Sequence, residues 1–419
     1  MLFRKIIFYV LCCLSSVRLL HAQEMSFEDL AKLTVSNNKD LQAARETVRQ
    51  AEARFTQARL RPNPSLEAST ATDAIFSNDG DSTFSVGVTQ PFELGGKRPK
   101  RMRLAETEVE VRRAEEADAE RQLLGRLRSL VADAAGAAAR MELLQRVDQL
   151  NQQTVNVMNV RLRSGDASEL DSRLLQAQTN QIRSQRLVAG NQLDGILIQI
   201  RAIAGLPADA PLVLKPSAIT MQAGSEAAVI TKAVESRPDL RAARLREQLA
   251  EEGIVLAKSQ LKPNIDTSVR YGRESVISRL AAPGVSRAFE RESFIEFGVS
   301  VPLPIFNREQ GNIGEALSHR SQARAERESL EQQVRREVQL AYRRYETARR
   351  SMEILQSGVV EENRASLRIV QLAYNLGELR FLDIVNQQRV VVDAETSYVA
   401  AETELRSAFA DLESAAGAH

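Results

Sequence analysis

The chain repeats itself, and that duplication limits its fold more than any other feature. Asp40-Leu41-Gln42-Ala43-Ala44-Arg45 returns as Asp239-Leu240-Arg241-Ala242-Ala243-Arg244, and Arg61-Pro62-Asn63 returns as Lys262-Pro263-Asn264. Gly87-Val88-Thr89-Gln90-Pro91 returns as Gly298-Val299-Ser300-Val301-Pro302, and Gly165 with Leu170-Asp171 returns as Gly377 with Leu382-Asp383. The four landmarks keep one order at a spacing that drifts only from 199 to 212 positions. A recurring internal pattern means two copies of one structural unit. Each copy reads as a shorter helix, two strands, a very long helix, a turn and a shorter helix. The ranges are 26–60, 65–72, 82–92, 98–163 and 168–204, then 225–261, 264–272, 293–303, 309–375 and 379–415. The organisation expected is a signal peptide at 1–22, a first repeat at 23–204 with strands near 64–92, a linker at 205–224, and a second repeat at 225–419 with strands near 263–303. Pro and Gly mark the linker.

The long helices set a scale. At 1.5 Å per residue, about 65 residues make a rod of roughly 100 Å. Aromatic residues are only 5% of the chain and tryptophan is missing, which suits long helices with shallow packing.

The strands alternate with period two. Phe84, Val86 and Val88 alternate with Ser85, Gly87 and Thr89. Ile265, Thr267, Val269 and Tyr271 alternate with Asp266, Ser268 and Arg270, and Ile295, Phe297, Val299 and Val301 with Glu296, Gly298 and Ser300. One face is apolar and the other polar or charged. About ten residues suffice for a tilted strand to cross a bilayer, where every backbone amide needs a partner and an open sheet cannot stand. Four strands cannot close a barrel, because outer-membrane barrels start at about eight, so several chains must contribute. Two half-buried hairpins in a soluble α+β domain would show the same alternation. Asn78-Asp79-Gly80-Asp81 signals the first hairpin turn, and Arg273 to Glu292 reads as a longer second connection.

Arg4 and Lys5, the apolar run Ile6–Leu14 and Ala22 have the layout of a secretory signal peptide cleaved near Ala22. Both cysteines, Cys12 and Cys13, fall in it, so no disulfide or thiolate site is expected in the mature chain. Charge is nearly balanced, at 56 basic against 55 acidic residues, and gives no reason to expect nucleic acid. His319 and His419 lie far apart in sequence, and carboxylates interleave with Arg and Lys at helical spacing. Neither pattern suggests a metal site, a cofactor or an enzyme.

With these landmarks the chain resembles TolC-family outer-membrane factors over essentially its whole mature length. The run Gln90-Pro91-Phe92-Glu93-Leu94-Gly95-Gly96-Lys97-Arg98 is similar to the strand-to-helix turn of the Czc-like branch, which serves heavy-metal exporters of the resistance-nodulation-division (RND) class. The resemblance implies a mostly α fold with a small β part. It also implies a homotrimer with a twelve-stranded outer-membrane barrel on a periplasmic helical tunnel, meeting outer-membrane lipid, a periplasmic adaptor and an inner-membrane RND pump. The activity implied is passive efflux, with drugs or secreted polypeptides as an alternative cargo. A periplasmic coiled-coil adaptor or scaffold is the alternative from another class.

Several residues follow as candidates. Gly95 and Gly96 should turn the chain from sheet to helix. Lys97, Arg98, Lys100, Arg101 and Arg103 form a basic cluster at a helix start, open to two readings: a solvated first helical turn, or a surface for lipid phosphates or the tunnel mouth, towards which the helix dipole's disfavour of cations leans slightly. Gly165-Asp166 and Gly377-Glu378 mark the turns at the far ends of the long helices; in the family such tips meet the adaptor. Asp383 matches an acid of the family's closed periplasmic constriction, and Asn386 stands where a second acid would be. An Asp near a helix start also serves simply as a cap.

Overall fold

The computed structural model describes residues 24–73, 81–165, 167–215, 221–277 and 289–417. The expected signal peptide, Asn78–Gly80 and Asp166 lie outside them. The described elements are β1 (Glu24–Met25), α1 (Phe27–Asn37), α2 (Lys39–Ala58), β2 (Ser65–Thr72), β3 (Ser82–Phe92), α3 (Lys97–Ser164), α4 (Glu169–Ile203) and β4 (Val213–Leu214). The second half continues with α5 (Glu226–Ser236), α6 (Pro238–Ser259), β5 (Ile265–Ile277), β6 (Phe289–Ser300), α7 (Gln310–Ile354), a π-helical stretch (Leu355–Val360), α8 (Glu361–Asn375) and α9 (Phe381–Ala415). The chain divides into a strand unit, Glu46–Glu115 with Asp239–Leu330, and a helical unit made of the remaining segments.

In the strand unit, four antiparallel strands lie in the order β2-β3-β5-β6. The two hairpins share one register: Glu67 faces Gly87, and their counterparts Ser268 and Gly298 face each other. β5 and β6 extend further than alternation alone suggested, so Arg273–Ile277 and Phe289–Glu292 are strand rather than connection. β6 also ends at Ser300, three residues short of the expected end, because Pro302 and Pro304 withhold ladder donors.

In the helical unit, two apolar clusters form the core. One gathers Leu30, Leu127, Ala134, Ile200, Ala204 and Leu212; the other gathers Leu143, Leu144, Val147, Ile182, Ala189 and Val392. Small residues among these suit close helix packing in place of thick leucine layers. Ser26 and Asp29 cap α1 reciprocally, and the Ser26 hydroxyl holds the Asp29 carboxyl below its usual range. β1 pairs in parallel with β4, tying the start of the described chain to the segment between the repeats.

Three helices expected to be continuous are broken. The first breaks at Asn38, whose backbone leaves the helical region while its side chain accepts from Leu41 N at 3.1 Å and donates to Ile203 O at 3.0 Å. The amide thus starts a new helix. The second breaks at Arg237, since the residue before Pro238 is driven out of the helical region. The third is interrupted by the π-helical stretch Leu355–Val360, whereas its counterpart α3 runs for 68 residues without interruption.

Candidate functional site

The sheet has two faces of different chemistry. Register places Leu66, Val88, Val269 and Phe297 in one row across all four strands. They are 74%, 47%, 49% and 78% exposed. Covering such side chains is worth about 1.5–3 kcal/mol each, so an apolar face left this open marks a surface that meets lipid or protein. Among the described residues no helix is long and apolar enough to cross a membrane.

The opposite face is polar. Its corresponding row is Glu67, Gly87, Arg270 and Glu296. The Arg270 guanidinium lies 3.1 Å from Glu296 and 3.7 Å from Glu67, bridging across Gly87. A Cβ at Gly87 would sit 3.1 Å from the Arg270 Cβ and from the Val269 carbonyl oxygen, so a larger residue there would require its neighbours to give by a few tenths of an ångström. Every acid of the four strands falls on this face: Glu67, Asp266, Glu274, Glu290, Glu292 and Glu296. Arg270 is the one base there, and Glu274 stands directly opposite Glu292. The apolar face carries no acid; its two charged residues are Arg273 and Arg291. Sequence reasoning missed this partition because it read residues 273–292 as a connection.

After β3 the chain turns into α3 through Gly95 (φ +75°) and Gly96 (φ +66°), as their sequence suggested. A Cβ at Gly95 would meet the Lys262 side chain at 2.9 Å. The basic cluster has internal partners in place of either the bare solvation or the external surface expected above. Lys97 is buried and donates from Nζ to Asn264 Oδ1 at 2.8 Å. Arg98 donates to Arg59 O at 2.7 Å, and Arg101 to Ala58 O at 3.2 Å and Leu60 O at 3.2 Å while pairing with Glu93 at 2.6 Å. Lys100 donates to Gly95 O at 3.0 Å, and Arg103 meets Glu252 at 3.3 Å. Arg98 and Arg101 thus sit at the carbonyl end of α2, where a helix favours positive charge. The dipole of α3 was considered in the sequence reading and that of its neighbour was not.

The helical-unit turns carry Gly165 (φ +80°) and Gly377 (φ +77°) as left-handed helix ends. Ser168 caps α4 by accepting from Leu170 N at 3.2 Å, and Glu378 N donates back to Ala373 O at 3.0 Å. Asp383 accepts from Arg380 N at 2.9 Å, which makes it a cap of α9. Asn386, one turn further on, is exposed. The structure adds a contact that sequence reasoning did not find. Arg161 of α3 donates to the Tyr374 hydroxyl of α8 at 2.6 Å and lies 5.8 Å from the centre of its ring, and Tyr374 packs edge-on to Phe381 at 6.1 Å. Deeper in the unit, Arg344 holds both Glu404 and Asp411. Burial first, then like charge, raises the carboxyl pKa of Asp133 and Asp411. Among the described residues, no group of three or more His, Cys, Asp or Glu could hold a metal ion.

Comparison with known proteins agrees with this architecture. The family profile of outer membrane efflux proteins matches residues 30–206 and again 229–418, once in each half. The chain is 21% identical to the cobalt-zinc-cadmium resistance protein CzcC of Cupriavidus metallidurans, over 90% of this chain and 86% of that one. It is 22% identical to the pyoverdine export outer membrane protein OpmQ of Pseudomonas putida, over 88% of this chain and 80% of that one. The solved structure of the CusC channel superposes with a TM-score of 0.77 at 16% identity, covering 94% of this chain and 92% of that one. Duplicated helices, a two-faced four-stranded sheet and a profile match in both halves lead to one conclusion: the chain belongs to the outer membrane efflux protein family.

Proposed function

We propose that this outer-membrane efflux protein is the passive exit duct for divalent heavy-metal cations in a tripartite RND system. Three copies, each giving four strands, close the barrel. The apolar row meets lipid and the polar face lines the lumen. The observation that carries the cation reading is the charge partition: six acids against one base on the polar face, and no acid on the other. Opposed like charges such as Glu274 and Glu292 destabilise a strand pair, and passing cations relieve that repulsion. Rings of acidic side chains favour cations, and conduction needs only weak binding. The cobalt-zinc-cadmium role named for the Cupriavidus relative points the same way. An inner-membrane pump and a periplasmic adaptor supply energy and coupling. The turns at Gly165, Asp166, Gly377 and Glu378 are the adaptor-docking tips, and the Arg161–Tyr374 contact holds two of those helix ends together near Asp383 and Asn386.

Deleting the gene should sensitise cells to Zn, Co, Cd or Ni, with tolerance restored by the wild-type chain. Unchanged tolerance to all four, with the pump present, would overturn the metal reading. The Pseudomonas putida relative favours a siderophore as the second cargo, and loss of siderophore secretion in the same deletion strain would select it.

A further inference from the structure

The two long helices differ by one residue, and the repeat shows where. Met141-Glu142-Leu143-Leu144-Gln145 of α3 returns as Met352-Glu353-Ile354-Leu355-Gln356 at 211 positions, the spacing of the preceding strands, where Gly87 returns as Gly298. Asn151 returns as Asn363, and Gly165 as Gly377, at 212. Gln145 to Asn151 is six steps and Gln356 to Asn363 is seven, so the surplus lies between Gln356 and Asn363. The π-helical stretch Leu355–Val360 occupies that interval, and α3 passes the matching place without a break.

An α-helix turns by about 100° per residue, so one residue too many would swing everything beyond it off its face. A π turn closes its hydrogen bonds one residue later and absorbs the surplus. The face beyond it is kept. Gln388 of α9 donates to Asn151 Oδ1 at 3.2 Å, and its neighbour Gln387 donates to Asn363 O and Oδ1 at 3.4 Å. Two counterpart asparagines thus meet two adjacent glutamines of one helix. Arg364 also reaches Glu395 of α9 at 2.6 Å. Asn363 Nδ2 donates to Val359 O at 2.8 Å, taking the carbonyl that an α-helix reserves for the backbone amide four residues on. No residue of α8 is buried, whereas Asn151 and Met158 in the matching part of α3 are 0% and 4% exposed. The seat of α8 on α9 therefore rests on these polar contacts.

We propose that the second repeat carries a one-residue insertion housed as a π turn, and that Asn363 is the positioning residue that pins the turn at Leu355–Val360 and so keeps Tyr374 turned towards Arg161. With the pin lost, the wide turn is free to travel along α8 and rotate the residues it passes.

Two deletions in the full chain test the insertion. Gly358 is exposed, and a Cβ there would meet nothing within 4 Å, so its removal takes out one residue and no side-chain contact. Deleting Gly358 should leave or raise the urea midpoint, because Asn363 returns to the six-step spacing of the first repeat. Deleting Arg146, exposed at the matching place in α3, should lower it, because Asn151 and Met158 then turn off their buried face. Equal losses from the two deletions overturn the insertion. Hydrogen exchange tests the pin. Asn363→Ala should speed exchange of the Glu361–Asn375 amides by about threefold or more, the effect of one lost hydrogen bond. In the chain lacking Gly358 the same substitution should change nothing, since no wide turn remains to hold. Equal acceleration in both chains, or none in the full chain, overturns the role of Asn363 and leaves the insertion standing.

Discussion

After β3 the chain turns into a helix that its own residues partly cover; after β6 it makes the corresponding turn and lies more open. Phe92, Leu94 and Lys97 around the first turn are 51%, 40% and 6% exposed, whereas their counterparts Leu303 and Ile305 are 74% and 59% exposed and Arg308 is exposed too. The first turn uses two glycines at positive φ, and the second puts Glu309 there at φ 56°. A left-handed non-glycine residue costs roughly 1–2 kcal/mol, partly offset here by the bond from Glu309 N to Asn307 Oδ1 at 3.0 Å. One turn is therefore largely packed by the chain itself and the other stays open. The difference shows that a repeated element need not be stabilised in the same way twice.

That contrast can be broken by experiment. The largest effect is expected from Gly95→Val, which strains a φ of +75° and drives a side chain into Lys262. A loss of about 3 kcal/mol or more in chain stability, read as a lower urea midpoint, should follow. A smaller effect should separate the turns by assay. Lys97→Met leaves the half-buried Asn264 without this donor and should lower the same midpoint by about 1–2 kcal/mol. Arg308→Met should leave the midpoint of the dissociated chain unchanged. Equal effects of both on the dissociated chain would dissolve the distinction. The smallest effect tests the backbone: Glu309→Gly should raise the midpoint by up to about 1 kcal/mol by removing strain, and Gly96→Ala should lower it by a similar amount.

The duplication, the element order and the alternation of the strands were legible because they are periodic in one chain. Neither the break before Pro238 nor the one at Asn38 was read from the sequence: the helical periodicity on both sides of Pro238 hid the first, and an amide caps a helix only when the backbone around it has already turned. The charge partition of the sheet was hidden by a strand boundary set too early at Arg273. The partners of Arg98 and Arg101 are backbone carbonyls of Ala58, Arg59 and Leu60; no residue type advertises those. Arg161 and Tyr374 lie 213 positions apart, and nothing local to either names the other.

The glycine at position 87 has a consequence for throughput. It lets Arg270 recline against the wall of the proposed duct, its charge spent on Glu67 and Glu296. The bore keeps its width and gains no projecting cation to turn traffic back. A side chain at that one position would crowd Arg270 and loosen its hold on the two carboxylates that flatten it.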